Sequence, residues 1–241
     1  LKESLYTIPV NEGFEAGGEC PFCNIYHKLE TESVDFMLGA SYMEDDIRME
    51  TNKTGFCSKH YLMMYQKQNR LGVALMADTH LQKVIEDIKS LGEELKNEKK
   101  SFFSKNNNKN ALSAYLDNVT EDCYICNKIN KNFERYIDTF FFMWKKDNDM
   151  KEKVKSSNGF CLKHFSKLTD VGKKKLSAAA FAEFIDIILP KEIENLQRLE
   201  GELGFFINKF DHRYKDEPWG SAKDALIRAL LKIGSVKVEQ E

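Results

Sequence analysis

Every cysteine of the chain, six in all, lies in one of four short motifs. Cys20-Pro21-Phe22-Cys23 and Cys123-Tyr124-Ile125-Cys126 are C-x2-C pairs. Cys57-Ser58-Lys59-His60 and Cys161-Leu162-Lys163-His164 are C-x2-H pairs. Thiolates and imidazoles at this spacing ligate a divalent ion, and three Cys with one His is a common tetrahedral zinc set. The eight residues therefore divide into two such sets, and the expected cofactor is two zinc ions. The economical pairing stays within each half of the chain: Cys20, Cys23, Cys57 and His60 around one ion, and Cys123, Cys126, Cys161 and His164 around the other. Pairing across the halves is the alternative.

The motifs recur as a duplication. The second C-x2-C follows the first by 103 residues. NKTGFCSKH, residues 52–60, is echoed by SSNGFCLKH, residues 156–164, at an offset of 104. Ala74, Ala77, Ile88 and Leu91 meet Ala179, Ala182, Ile193 and Leu196 at an offset of 105. A lone C-x2-C is a weak signal, but matched copies inside a repeat are a strong one.

Position along the chain adds a physical argument. Pro21 suits the first position of a helix, where its missing N–H costs nothing. Each Gly-Phe-Cys step also precedes a helical pattern. Ligand pairs at helix starts feel the positive end of the dipole, which favours thiolates. Two residues three apart on a first turn share a face and can reach one ion. Each metal is thus expected to clamp the starts of two long helices. The alternative is a set of inert buried cysteines, but core residues need not recur in ligand order.

Two rival chemistries use the same cysteines. Cys3His can hold an iron–sulfur cluster, although all-Cys ligation is more usual. CPFC also has the form of a thiol–disulfide active site, but that motif expects a βαβ context, and the second copy has no proline.

The elements that must position these residues read as all-α. Pro and Gly are sparse, at 4 and 13, strand-like alternation is scarce, and 3.6-residue periodicity dominates. Seventeen Phe and nine Tyr, with 42% hydrophobic residues, suffice for a sizeable core. The expected organisation is a first helical metal-binding unit over 1–103, a linker over 104–118, a second helical unit over 119–204, and a C-terminal tail with a helix over 205–241, the two units being related by pseudo-two-fold symmetry. A helix is expected over Pro21–Met43 with Tyr26, Leu29, Phe36, Ala40 and Met43 on one face, followed by a polar connection. A second stretch runs over Ser58–Lys96 and breaks near Gly72. In the second unit Ile129, Phe133, Tyr136, Phe140 and Met143 share a face. Pro190 should kink or restart the last long helix. Ser221 is expected to cap a final helix with Leu226, Leu230 and Ile233 on its apolar face.

Charge excludes some functions. The net charge is −2 with 31% charged residues, which argues against a dedicated nucleic-acid or membrane-surface binder. The distribution is uneven: residues 1–50 carry 11 acidic and 3 basic side chains, and residues 145–175 carry 10 basic and 4 acidic. The basic stretch 145–175 is the only hint of a nucleic-acid or other acidic partner; lysine-rich solvated surface is the default reading. No apolar run spans a bilayer and no secretory signal is visible, so the expectation is a cytoplasmic protein.

No catalytic residue stands out. His27 and His80 have no His counterpart in the repeat, their matches being Asn130 and Ile185. Asp211-His212 could orient a general base, but no nucleophile is placed beside it. The leading expectation is a non-catalytic metal-stabilised binding or adaptor protein, with an unidentified protein or small molecule as partner. The alternatives are an iron–sulfur or thiol-redox protein, and an enzyme with a cleft between the two units.

CPFC, GFCSKH, the second C-x2-C with GFCLKH, and the segment FINKFDHRYKDEPWG together resemble an uncharacterised bacterial family, a domain of unknown function. The resemblance spans nearly the whole chain. CYIC departs from the proline-containing form of the motif. The resemblance implies a cytoplasmic bacterial protein and no particular activity.

Overall fold

A computed structural model of the chain describes residues 2–97 and 109–238. The described residues are all-α, with no strand among them. In chain order the helices are α1 (Lys2–Glu15), α2 (Pro21–Leu38), α3 (Asp45–Thr54), α4 (Ser58–Gln66), α5 (Arg70–Asn97), α6 (Ala111–Glu121), α7 (Tyr124–Lys146), α8 (Asn148–Ser156), α9 (Leu162–Lys175), α10 (Ala178–Asn208) and α11 (Ala225–Gly234). Short 3-10 turns lie at Ala40–Met43, His212–Tyr214 and Gly220–Asp224. No helix of the described residues is long and apolar enough to cross a membrane.

Two compact units result, one of residues 1–28 with 132–241 and one of residues 29–131. They are not the segments 1–103 and 119–204; their limits fall inside α2 and inside α7.

The first unit has an aromatic core. Phe22, Phe140, Phe141, Trp144, Phe160 and Phe184 are all buried. Phe22 meets Phe133 and Phe140 edge-on at 5.9 and 5.4 Å, and Trp144 meets Phe184 at 4.9 Å. Each such pair adds about 0.5–1.5 kcal/mol beyond area burial. Arg198 of α10 and Arg228 of α11 converge on buried Glu19 and on Glu202, tying both helices to the residue before Cys20. The second unit is lined by Val34, Met37, Phe56, Met64, Met76, Ile125 and Ile129. There Arg48 of α3 bonds Leu75 O and Thr79 Oγ1 of α5, and Tyr115 of α6 donates to Asp87 of α5 at 3.0 Å.

Several local expectations need correction. The polar connection after α2 is itself a helix, α3, opened by Asp45 and Asp46 in its first turn, where negative charge is favourable. The break in the following stretch falls at residues 67–69, and Gly72 lies inside α5. Helix α6, capped by Asn110 accepting from Ser113 N–H, occupies residues 111–118 of the segment expected as a linker; residues 104–108 of that segment lie outside the described residues. Helix α10 continues through Pro190. Pro190 is on the exposed face, where water can satisfy the carbonyl left without a partner.

Two predicted faces also moved. In α2 Leu29 is buried but Phe36 is 42% exposed, and Met43, in the 3-10 turn after the helix ends at Leu38, is 63% exposed; Phe22, Ile25, Val34 and Met37 line the core instead. In α11 Leu226 and Ile233 are exposed while Ala225, Ala229 and Lys232 are buried. Lys232 is drawn inward by Asn158 O, Glu19 O and Glu192, which hydrophobic periodicity does not register. Helix α11 is preceded by the 3-10 turn, so Asp224 occupies its N-cap position and Ser221 does not. The α7 face held: Ile129, Phe133, Phe140 and Met143 are buried.

Candidate metal centres

All four motifs sit at helix starts in one geometry. The first ligand of each pair immediately precedes its helix, and the second is the third helical residue: Cys20 and Cys23 on α2, Cys57 and His60 on α4, Cys123 and Cys126 on α7, Cys161 and His164 on α9. The pair thus spans one first turn, where unpaired N–H groups face the sulfurs. Cys126 N–H points at Cys123 Sγ, 3.5 Å away, as a hydroxyl cap would receive it.

The turn before each C-x2-H depends on glycine. Gly55 has φ +60° and Gly159 has φ +75°. A Cβ on Gly55 would lie 2.5 Å from His80 Nε2, and one on Gly159 2.5 Å from Glu192 Oε2. His80 is therefore structural: its ring covers Gly55 while Nδ1 bonds Asn52 O at 2.8 Å. Glu192 accepts from Phe160 N–H at 2.8 Å, holding the turn beside Cys161.

Two ligand clusters form, each inside one unit. Cys20, Cys23, Cys161 and His164 make one, and Cys57, His60, Cys123 and Cys126 the other; within each cluster all ligand atoms lie within 4.8 Å of one another. The pairing is the reverse of the economical expectation: each C-x2-C joins the C-x2-H of the other repeat. The unit limits explain this: α2 begins in the first unit and ends in the second, and α7 does the opposite. In the first unit the start of α2 meets the end of α7, Phe22 against Phe140 and Tyr26 against Phe133. In the second unit the end of α2 meets the start of α7, with Phe36 beneath Lys128.

The spacing suits a single tetrahedral ion. Bonds of about 2.3 Å to sulfur and about 2.0–2.1 Å to nitrogen set S···S edges of roughly 3.8 Å and S···N edges of roughly 3.5 Å. In the Cys57 cluster Cys57 Sγ and Cys126 Sγ are 3.8 Å apart, and His60 Nδ1 lies 3.2, 3.2 and 3.4 Å from Cys57, Cys123 and Cys126. In the Cys20 cluster Cys23 Sγ and Cys161 Sγ are 3.5 Å apart, and His164 Nδ1 lies 3.4, 3.5 and 3.2 Å from Cys20, Cys23 and Cys161. The six thiols are free of disulfides. His27 and His80 belong to neither cluster.

The surroundings differ. All four residues of the Cys20 cluster are buried, and Phe22 and Phe133 flank the His164 ring at 6.0 and 5.1 Å. Ser235, in the left-handed conformation at φ 54°, brings its Oγ to 3.1 Å from Cys161 Sγ. In the Cys57 cluster Cys57 and Cys126 are partly exposed. There buried Glu30 accepts from His60 Nε2 at 3.2 Å and from Lys59 at 2.6 Å. Such a carboxylate fixes the ring so that Nδ1 faces the sulfurs.

Charge sharing within each cluster is uneven. Burial opposes charge on His60, but Cys123 and Glu30 outweigh it and raise its pKa to about 9. Burial likewise works against the Cys123 thiolate, and the hydrogen bond from His60 brings its pKa down to about 6. In the other cluster hydrogen bonds from Cys20 and Cys23 hold Cys161 far below an ordinary thiol, while burial pushes Cys20 up to about 12.

Glu30, Glu192, Lys232 and Ser235 escaped the sequence reading. None sits in a motif, and none of their roles repeats at the duplication offset. Asp211 and His212 gain nothing from the structure: His212 is 92% exposed, and Asp211 bonds Arg213, which holds its carboxyl below the usual range.

Together these features define a helical protein with two Cys3His clusters, each built from four helix-start ligands. The chain belongs to a family of unknown function, DUF6062, whose model matches residues 1–240. Comparison with curated proteins found no match, and neither did comparison with solved structures.

Proposed function

We propose that the chain is a zinc protein whose two ions are structural, and that it works as a non-catalytic binding or adaptor protein. The observation that carries this is the near-tetrahedral spacing of three sulfurs and one imidazole nitrogen in both clusters. Four protein ligands leave no open position, which is the mark of a structural rather than a catalytic ion. An iron–sulfur cluster spreads its four protein ligands over two or four irons, so the ligand atoms as a set stand farther apart than those of a single ion; the compact clusters favour one ion each. Soft sulfur with one imidazole suits zinc. Each ion ties two helix starts distant in sequence, α2 to α9 and α4 to α7, so its binding energy adds to folding energy. Six unpaired thiols fit a reducing compartment, the cytoplasm.

Elemental analysis of protein purified without added metal, with an absorbance spectrum, tests the reading. About two zinc per chain and no visible absorbance supports it. Iron with sulfide and a broad visible band moves the protein to the iron–sulfur class. An empty protein with six titratable thiols rejects it.

A further inference from the structure

The two clusters differ in who can reach the sulfur. Cys20, Cys23 and Cys161 are 1%, 2% and 0% exposed, and Cys123 is 1% exposed. Cys57 and Cys126 alone among the cysteines reach the surface, and they belong to the same cluster with their sulfurs 3.8 Å apart. A metal-bound sulfur remains a thiolate, and thiolates that meet solvent are the ones oxidants find.

We propose that the Cys57 cluster is an oxidation site: a hydroperoxide joins Cys57 and Cys126 in a disulfide and expels the ion, while the Cys20 cluster keeps its own. The proposal rests on the reading that both clusters bind zinc. In the first step one of the two thiolates attacks the peroxide oxygen. The O–O bond breaks, the departing hydroxide takes a proton from a buffer acid and leaves as water, and a sulfenic acid forms. In the second step the other thiolate attacks that sulfur, the S–O bond breaks, and the second hydroxide takes another buffer proton and leaves as water. Two sulfurs lose two electrons in total and the peroxide gains them. Only His60 and Cys123 then remain to the ion, and two ligands hold zinc far more weakly than four.

Geometry selects the pair. Cys57 precedes α4 and Cys126 lies in the first turn of α7, so the sulfurs approach from separate helices and close by side-chain rotation. In the Cys20 cluster the corresponding sulfurs, Cys161 and Cys23, are 3.5 Å apart but belong to fully buried residues.

The test uses the native zinc-loaded protein. Zinc content is measured first, then hydrogen peroxide is added and released zinc is followed with a coloured chelator. Disulfides are mapped by mass spectrometry of peptides after alkylation. The expected result is loss of one of the two equivalents, with a Cys57–Cys126 linkage and with Cys20, Cys23 and Cys161 still alkylatable after denaturation. Reductant with zinc should restore the starting content. No release, equal release from both clusters, or a linkage through any other cysteine overturns the proposal while leaving the zinc reading intact. Protein without zinc at the outset overturns both.

Discussion

Cys20 and His164 stand 144 residues apart, yet Cys20 Sγ lies 3.4 Å from His164 Nδ1. The first C-x2-C of the chain shares a cluster with the last C-x2-H, and the two motifs between them share the other. This crossing makes the pairing testable by stoichiometry. Cys20→Ser should lower bound zinc from about two to about one per chain. Adding Cys161→Ser should leave it at about one, because both changes strike the same cluster. Combining Cys20→Ser with Cys57→Ser should bring it close to none. Elemental analysis of the four proteins reads the pattern directly; pairing within the repeats would exchange the last two results.

Glu30 holds the back of the His60 ring. Glu30→Gln should weaken zinc binding at the Cys57 cluster by about 10–100-fold, the usual cost of losing such a support. Competition with a chelator should show one weakened and one unchanged equivalent. Lys59, 58% exposed at its side chain, pairs with the same carboxylate, and Lys59→Ala should cost less than about 1 kcal/mol. Equal weakening of both equivalents in Glu30→Gln would contradict the assignment.

Gly159 and Gly17 both have positive φ, +75° and +67°. A side chain at Gly17 meets nothing within 4 Å, whereas one at Gly159 strikes Glu192. Gly17→Ala should therefore cost about 1–2 kcal/mol for backbone conformation alone. Gly159→Ala should cost more, because the carboxylate that bonds Phe160 N–H must also move. Chemical denaturation of the two variants compares them, and equal losses would show that the Glu192 contact matters little.

Lys232 is 0% exposed and lies 3.4 Å from Glu192, whose carboxyl is pushed up by burial. Lys232→Met strands that carboxylate and should destabilise the protein by about 3–5 kcal/mol at neutral pH. Lys232→Met with Glu192→Leu should recover much of the loss, since a buried pair replaced by apolar groups is often near neutral. A double variant no better than the single would place the cost in the carbonyl bonds from Lys232 to Asn158 and Glu19.

Glu202 supplies a pH signature. Burial would raise its carboxyl, but hydrogen bonds from Arg228 and Arg198 prevail and hold it below its ordinary 4.5. A carboxyl depressed in the folded state contributes stability that is present above its unfolded pKa and lost as pH falls through the folded one. Unfolding free energy should therefore drop on acidification below about pH 4.5. Glu202→Gln should be less stable at pH 7 and should show a shallower fall over that range. An unchanged acid limb would mean that the two arginines leave Glu202 without net effect.

The sequence by itself determined the helical class, the eight Cys and His residues that cluster and their place at helix starts. These follow from local rules: 3.6-residue periodicity, Pro21 at a first helical position, and the i, i+3 geometry of a first turn. The α7 face was legible for the same reason, since nearly every turn carries an aromatic or other apolar residue at a spacing of three or four. The α11 face was not, because Lys232 is buried by partners on other segments rather than by its own hydrophobicity. Only the tertiary structure decided which ligands meet. Duplication made pairing within each repeat look shortest along the chain, but α2 and α7 each begin in one unit and end in the other, so each C-x2-H comes together with the C-x2-C of the other repeat. The inequality of the clusters was equally out of reach. Burial of Cys161 and exposure of Cys57 depend on what the rest of the chain lays over two nearly identical motifs.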